Sequence, residues 1–488
     1  MVISRRDFLA ASAVIPAALP LLAGARADAA AEAAAPLLVR SRERIILERL
    51  TYGVAPGDEE ALRAVGLPAW LDGQLAVDAP ESEELGARLA GAKLRIEYEK
   101  VGEDRGLTSL DRSLGELFGP ILEDNELHWE EKVRPAKETQ AATLLRAVYG
   151  EAQLRERMVG FWHDHFSVSA FSDDGIARGL PHWDGMIRRG ALGNFRVLLE
   201  EVAKHPVMLL WLDNATNKAT PANENFAREL FELYTLGAMN YHNALYNRWG
   251  DVPGAEKGAP IGYIDEDVYE AARAFTGWTF GNGAWCGPND EHFPKTGEFV
   301  YHDSWHDPYQ KRVLATEFLR FAAPLADGKR VLDLVAAHPG TARHLATKLC
   351  RRFIADDPPP ALVDRVAAEW LAKRESPTQI ADVLRVIATS EEIAQPEYLK
   401  VKRPLEMTVG FFRSMQAEVR PHGEFFWGLG VMNQQLFGWP SPAGHPDTAD
   451  PWLSSGAMVM RWNALLSFVD EENKVIKLSD EDVLPAAD

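Results

Sequence analysis

Three glutamates and an arginine crowd one short run, Asn223-Glu-Asn-Phe-Ala-Arg-Glu-Leu-Phe-Glu-Leu-Tyr-Thr-Leu-Gly237. Placed on a helix at about 100° per residue, Phe226, Leu230 and Leu233 share one face, while Asn225, Arg228, Glu229 and Glu232 take a neighbouring arc. Glu224 reaches Arg228 at i, i+4, and Gly237 is a natural helix stop. Glu229 and Glu232, three residues apart beside an apolar face, have the spacing to bind a divalent metal or to act as acid and base. The same residues also suit an ion-paired face docked on a neighbouring helix. Arg228 and Asn225 are the nearest groups for a polar substrate.

A second run, Phe161-Trp-His-Asp-His-Phe166, offers two imidazoles. On one continuous helix His163 and His165 lie about 200° apart, so they reach a single ion only where the helix ends, as Ser167-Val168-Ser169 permits. His165 falls with Leu154, Met158 and Phe161, where a buried, hydrogen-bonded histidine is the alternative. His163 and His165 with Glu229 form the candidate metal set. The third run, His302-Asp-Ser-Trp-His-Asp-Pro-Tyr-Gln-Lys311, holds two His-Asp pairs. His306 and Asp307 suit an imidazole oriented by its carboxylate, or a shared metal, and Lys311 suits an anion. Such a loop also caps helices with Asp and packs its aromatics. The aromatic-rich stretches 277–309, opened by Trp278, and 425–439 have the character to stack on sugar rings, or to pack in a core. His205-Pro206 and His338-Pro339 read as helix terminators.

The elements that must position these groups are mostly helical. Apolar residues recur at helical spacing over 40–50, 58–65, 68–75, from Glu138 to about Ser167, and over 192–204, 223–236 and 265–276. They resume over 329–336, 340–353, 360–373, 377–389, 398–416 and 456–469. Residues 80–135 are charged and glycine-broken, an insertion or a loose hairpin of helices. The expected fold is mainly α: a large irregular helical bundle over 40–470 with long aromatic-rich loops, little or no sheet, and an acidic tail at 471–488. At 488 residues, 46% hydrophobic and 25% charged, the chain can bury an ordinary core. Its net charge of −20 lacks the cationic footprint of a nucleic-acid binder. Two cysteines, Cys286 and Cys350, allow one bridge and no multi-cysteine metal site. No P-loop, nucleophile elbow, zincin helix or dinucleotide fingerprint is present.

The N-terminus reads as an address. Paired Arg5 and Arg6 precede Phe8-Leu9, an Ala/Leu-rich stretch and Ala25-Arg26-Ala27, a charged, then apolar, then small-residue order that matches a twin-arginine signal over 1–27. Residues 28–39 follow as an Ala-rich linker. The expected destination is the periplasm or the exterior, and beyond the signal no apolar run is long enough for membrane insertion.

Taken in order, Leu50-Thr-Tyr-Gly53, Trp70-Leu-Asp-Gly-Gln-Leu75, Arg155–Phe166, Gly193-Asn-Phe-Arg196, Lys204-His-Pro206, Leu212-Asp-Asn214, Asn223–Gly237, Asp267–Trp278, His306-Asp307 with Lys311, and Thr341–Asp357 resemble the bacterial "domain of unknown function 1800" family. The resemblance runs from about residue 40 to residue 465. It implies an exported protein, commonly encoded beside an exported alkaline-phosphatase- or sulfatase-like protein that is a candidate partner, and it names no reaction. Where the family usually has His, this chain has Tyr234, about 140° from Glu229 on an α-helical wheel and so outside the expected site. Tyr suits iron better than zinc.

The leading expectation is a metal-dependent periplasmic hydrolase. In it Glu229, Glu232, His306 and Asp307 are catalytic, Arg228, Asn225, Lys311 and Trp278 hold substrate, and a divalent metal polarises a bond or activates water. The alternatives are a non-catalytic scaffold for the neighbouring exported enzyme, and a redox protein carrying a cofactor such as noncovalent haem.

Overall fold

In the computed structural model, residues 40–123, 126–288, 290–398, 400–468 and 475–477 are described. The expected signal peptide and linker and nearly all of the expected acidic tail lie outside them. Helices account for 56% of the structure and strands for 9%, so the chain is mainly α. The strands form isolated antiparallel pairs, of which Trp278–Asn282 against Lys295–Tyr301 and Lys93–Tyr98 against Val101–Gly106 are the longest. Among the described residues no helix is long and apolar enough to cross a membrane.

The segment expected as one helix from Glu138 to Ser167 is two, Trp129–Tyr149 and Gln153–His165. Between them Gly150 turns extended with its Cα pressed on the Arg146 carbonyl: a Cβ there would sit 2.5 Å from that oxygen. The Gln153 side chain then donates to the Ala147 and Gly150 carbonyls, at 3.0 and 2.7 Å, and fixes the corner. Helix 153–165 runs through the core. Leu154, Met158 and Trp162 are fully buried, and so, nearly, are its charged residues Glu156 and Arg157.

Helix Asp174–Gly190 was not legible as a helix because Gly175, Gly179, Pro181 and Gly185 interrupt its apolar spacing. The glycines serve contact. A Cβ on Gly179 would lie 2.6 Å from Val207, so the helix Pro206–Trp211 can press against it only without one. Asp173 caps its start through the Gly175 and Ile176 amides. His205 and His338, read as terminators, do end helices Phe195–Lys204 and Ala326–Ala337, and they also begin the next ones: each Nδ1 accepts the amide two residues on, ahead of a first-turn proline.

From Arg42 onward the chain is one compact unit, built on a single large apolar core with Trp162, Trp183 and Trp370 at its centre. The region 83–106 is a helix and hairpin whose Leu85 and Leu89 join Leu145 in a small satellite cluster. Cys286 and Cys350 are both free thiols, so the bridge that the sequence allows is not made.

Candidate functional site

The residues singled out by sequence divide among four places. Helix Asn225–Glu229 continues as a π-helical turn, Leu230–Tyr234. Glu229 and Glu232 lie half-buried along it, and burial followed by the Glu232 charge pushes the Glu229 carboxyl up. Arg228 does not serve them; it pairs with Glu224 at 3.2 Å and Asp265 at 3.4 Å. Asn225 donates to Asp213 at 2.9 Å. The wider turn overturns the α-helical wheel: residues five apart stack in a π-helix, so Tyr234 comes near enough to feel the Glu229 charge.

His165 is buried, donates Nε2–H to the Tyr234 carbonyl at 3.1 Å, and is kept neutral by burial and by Lys348. It ties down the end of the π-turn. His306, Asp307 and Lys311 form a third group. Asp307 takes two bonds from Arg273, at 2.7 and 3.1 Å. Lys311, fully buried, reaches Asp327 at 2.7 Å, and His306 Nε2 faces the same carboxylate at 3.4 Å. These bonds fasten loop 303–311 to helices Asp265–Ala274 and Ala326–Ala337. Trp278 is 1% exposed with its ring against Gly328, so it packs the core and presents no face to a sugar.

The expected metal set is not assembled. Among the described residues no three His, Cys, Asp or Glu side chains are arranged to hold an ion. His163 and His165 are drawn to different partners, Asp184 and the Tyr234 carbonyl, because different faces of the helix carry them apart.

His163 leads elsewhere, into a narrow cavity of about 40 Å³, room for a few waters or a small polar head group. His163 Nε2 meets Asp184 at 2.9 Å. On another wall His445 Nδ1 meets Asp164 at 3.0 Å. Two imidazoles, each oriented by a carboxylate, thus line one cavity with Glu156, Glu406, Arg188 and Arg352. The carboxylates are held by arginines. Arg188 donates to Asp184 and, in a fork, to Glu156 at 2.7 and 2.9 Å. Arg157 binds Glu406 at 2.5 Å, and Arg403 binds Asp164 and Asp447. Burial alone would push these acids up. Arg403 and His445 instead hold Asp164 well below the usual carboxylate range, Arg188 and His163 do the same to Asp184, and Arg157 with Arg352 brings Glu406 down to about 2. The acids are therefore ionised and accept hydrogen bonds.

Ionised Asp164 accepts from Nδ1–H of His445, so in the neutral imidazole it is Nε2 that carries the lone pair. This nitrogen is buried and has no hydrogen-bond partner among the described residues. The loop that delivers it is held tightly. Gly444 has φ of 73° and a Cβ there would fall 2.0 Å from the Asp164 carbonyl, so only glycine lets the loop close on helix 153–165. Phe437, also at positive φ (57°), sets its ring 4.6 Å from His163, a strained position of the kind found at ligand clamps.

A family model described as protein of unknown function (DUF1800) matches residues 45–487. The chain belongs to that family. No curated protein and no solved structure matches it. In this DUF1800 member the sequence pointed to His163 but missed Asp164, Asp184, Glu156, Arg188, Arg352, Glu406 and His445. One signal was available. Glu406 sits in the otherwise apolar opening of Pro404–Ser414, and Glu156-Arg157 sit between the buried Leu154 and Met158; charges inside apolar helices need internal partners.

Proposed function

We propose that this DUF1800 protein is an exported, irregular helical-bundle hydrolase in which His445 is the general base. The supporting observation is the buried, partnerless Nε2 of His445, on a cavity wall, with Nδ1 bound to an ionised Asp164. In the step envisaged, Nε2 takes one proton from water while the water oxygen bonds to the carbon, phosphorus or sulfur of an ester. The bond from that centre to its leaving oxygen breaks with the electron pair, and the same proton passes to that oxygen. Asp164 orients the ring and stabilises the imidazolium. His163, held by Asp184, is the second group able to exchange a proton at the cavity. The step is written without a metal, since among the described residues no ligand set converges. Export to the periplasm or beyond rests on the Arg5-Arg6 pattern.

The test is hydrolysis of a panel of chromogenic carboxylic, phosphate and sulfate esters at neutral pH. His445→Gln should lower kcat by about 10²–10⁴-fold, with chelators having no effect. Hydrolysis that survives this substitution, or its complete absence from the parent, would remove the reading.

A second reading, a binding partner of a neighbouring exported enzyme, draws on helix Ser455–Phe468, which exposes Met458, Val459, Trp462 and Leu466. Exposed apolar groups on one helix suit a protein contact. Co-purification with the neighbouring gene product, lost on Trp462→Glu, would support it.

A further inference from the structure

We propose that the cavity beside His445 binds an oxyanion through the Arg352 guanidinium, so that the molecule it takes carries a carboxylate, phosphate or sulfate group. The assignment rests on reading this cavity as the functional site.

Among the described residues Arg352 is held only by long ion pairs and keeps open donors. It is 8% exposed and lines the cavity. Its nearest acids are Glu406 Oε1 at 3.4 Å and Asp164 Oδ2 at 3.7 Å. Both are already engaged: Glu406 by Arg157 and the Arg403 amide, Asp164 by Arg403 and His445. Nε and Nη1 of Arg352 have no hydrogen-bond acceptor among the described residues. A buried guanidinium with open donors is costly, and its planar fork matches the oxygens of a carboxylate or a tetrahedral anion. Arg188 lines the same cavity and likewise has an unpartnered Nη2. Burial, then the Arg403 charge, lowers Arg352 to about 10 in spite of Glu406. The acids on the walls, Glu156, Asp164 and Glu406, each pair with an arginine and so oppose the anion less than their number suggests.

Thermal denaturation of the exported, full-length product with inorganic phosphate, sulfate or acetate, against chloride at matched ionic strength, tests the proposal. Phosphate and sulfate also stabilise proteins by exclusion from their surface, an effect that does not saturate, so the readout is the saturable part of the rise in Tm. At least one of the three anions should give a saturable rise, and comparison among them tells a carboxylate site from a tetrahedral one. Arg352→Lys, which keeps the charge and loses the fork, should weaken the apparent affinity by roughly tenfold. In the parent, the same anion should shift the ¹⁵N signal of His445 Nε2, a readout that needs no variant at Arg352. No saturable rise at tens of millimolar, an unchanged affinity in Arg352→Lys, or an unmoved His445 signal overturns the proposal. Binding that depends on Arg352 in a protein that hydrolyses none of the esters overturns the hydrolase reading alone and leaves an anion-binding protein.

Discussion

Asp164 offers one carboxylate to His445 at 3.0 Å, Arg352 at 3.7 Å and Arg403 in close contact. Removing its charge takes one counter-ion from each of two buried guanidiniums, which leaves Arg403 with Asp447 and Arg352 with Glu406, and leaves the imidazole without its ionised orienting acceptor. Breaking one side of a buried pair costs about 3–5 kcal/mol, so Asp164→Asn should lower the urea-unfolding free energy by about that amount. A loss below about 1 kcal/mol would mean that the pair is effectively solvated and that His445 is not held as described. Neither partner was legible in the sequence: 281 positions separate Asp164 from His445, and no local pattern links residues so far apart. His163 was legible because its type is rare and its run conspicuous. Glu229 and Glu232 were legible as a pair on one helix, and what the sequence did not carry was which distant groups would face them.

Periodicity located most helices because it reports the buried stripe that each one needs. It failed where backbone geometry departs from 3.6 residues per turn or where glycine is used for contact. The π-turn at Leu230–Tyr234 brought Tyr234 back toward Glu229, and the glycines of Asp174–Gly190 hid a helix whose Asp184 and Arg188 build the cavity. Gly444 belongs to the same class and can be tested against a control. Gly57 has φ of 89° with open space around its missing Cβ, so Gly57→Ala carries backbone strain alone, about 1 kcal/mol. Gly444→Ala adds a collision with the Asp164 carbonyl and should destabilise by at least about 2 kcal/mol more, with the His445 loop displaced. Equal losses for the two variants in urea unfolding would show that the loop has room to shift and that its closure does not position His445.

Across the whole molecule, five arginines and five acids sit together in the interior: Arg146, Arg157, Arg188, Arg352 and Arg403 with Glu156, Asp164, Asp184, Glu406 and Asp447. They join helices 129–149, 153–165, 174–190, 339–353 and 404–414 to the loop that carries His445. Such a network ties the fold to pH. Glu406, 8% exposed, moves from an ordinary 4.5 to about 2 because Arg157, Arg352 and Arg403 outweigh its burial. A depressed carboxylate contributes stability that is complete above its unfolded value and is lost as pH falls through the folded one. Glu406 alone therefore contributes about 3 kcal/mol that should drain away between about pH 4.5 and 2, and Asp164 and Asp184 extend the loss to lower pH. Urea midpoints measured against pH should fall steeply over that window. Glu406→Gln should start lower at neutral pH, since Arg157 loses its partner, and should fall less steeply because one titrating group is gone. A variant with the parent's slope would place Glu406 in water rather than among the arginines, and the cavity wall next to Arg352 would have to be redrawn.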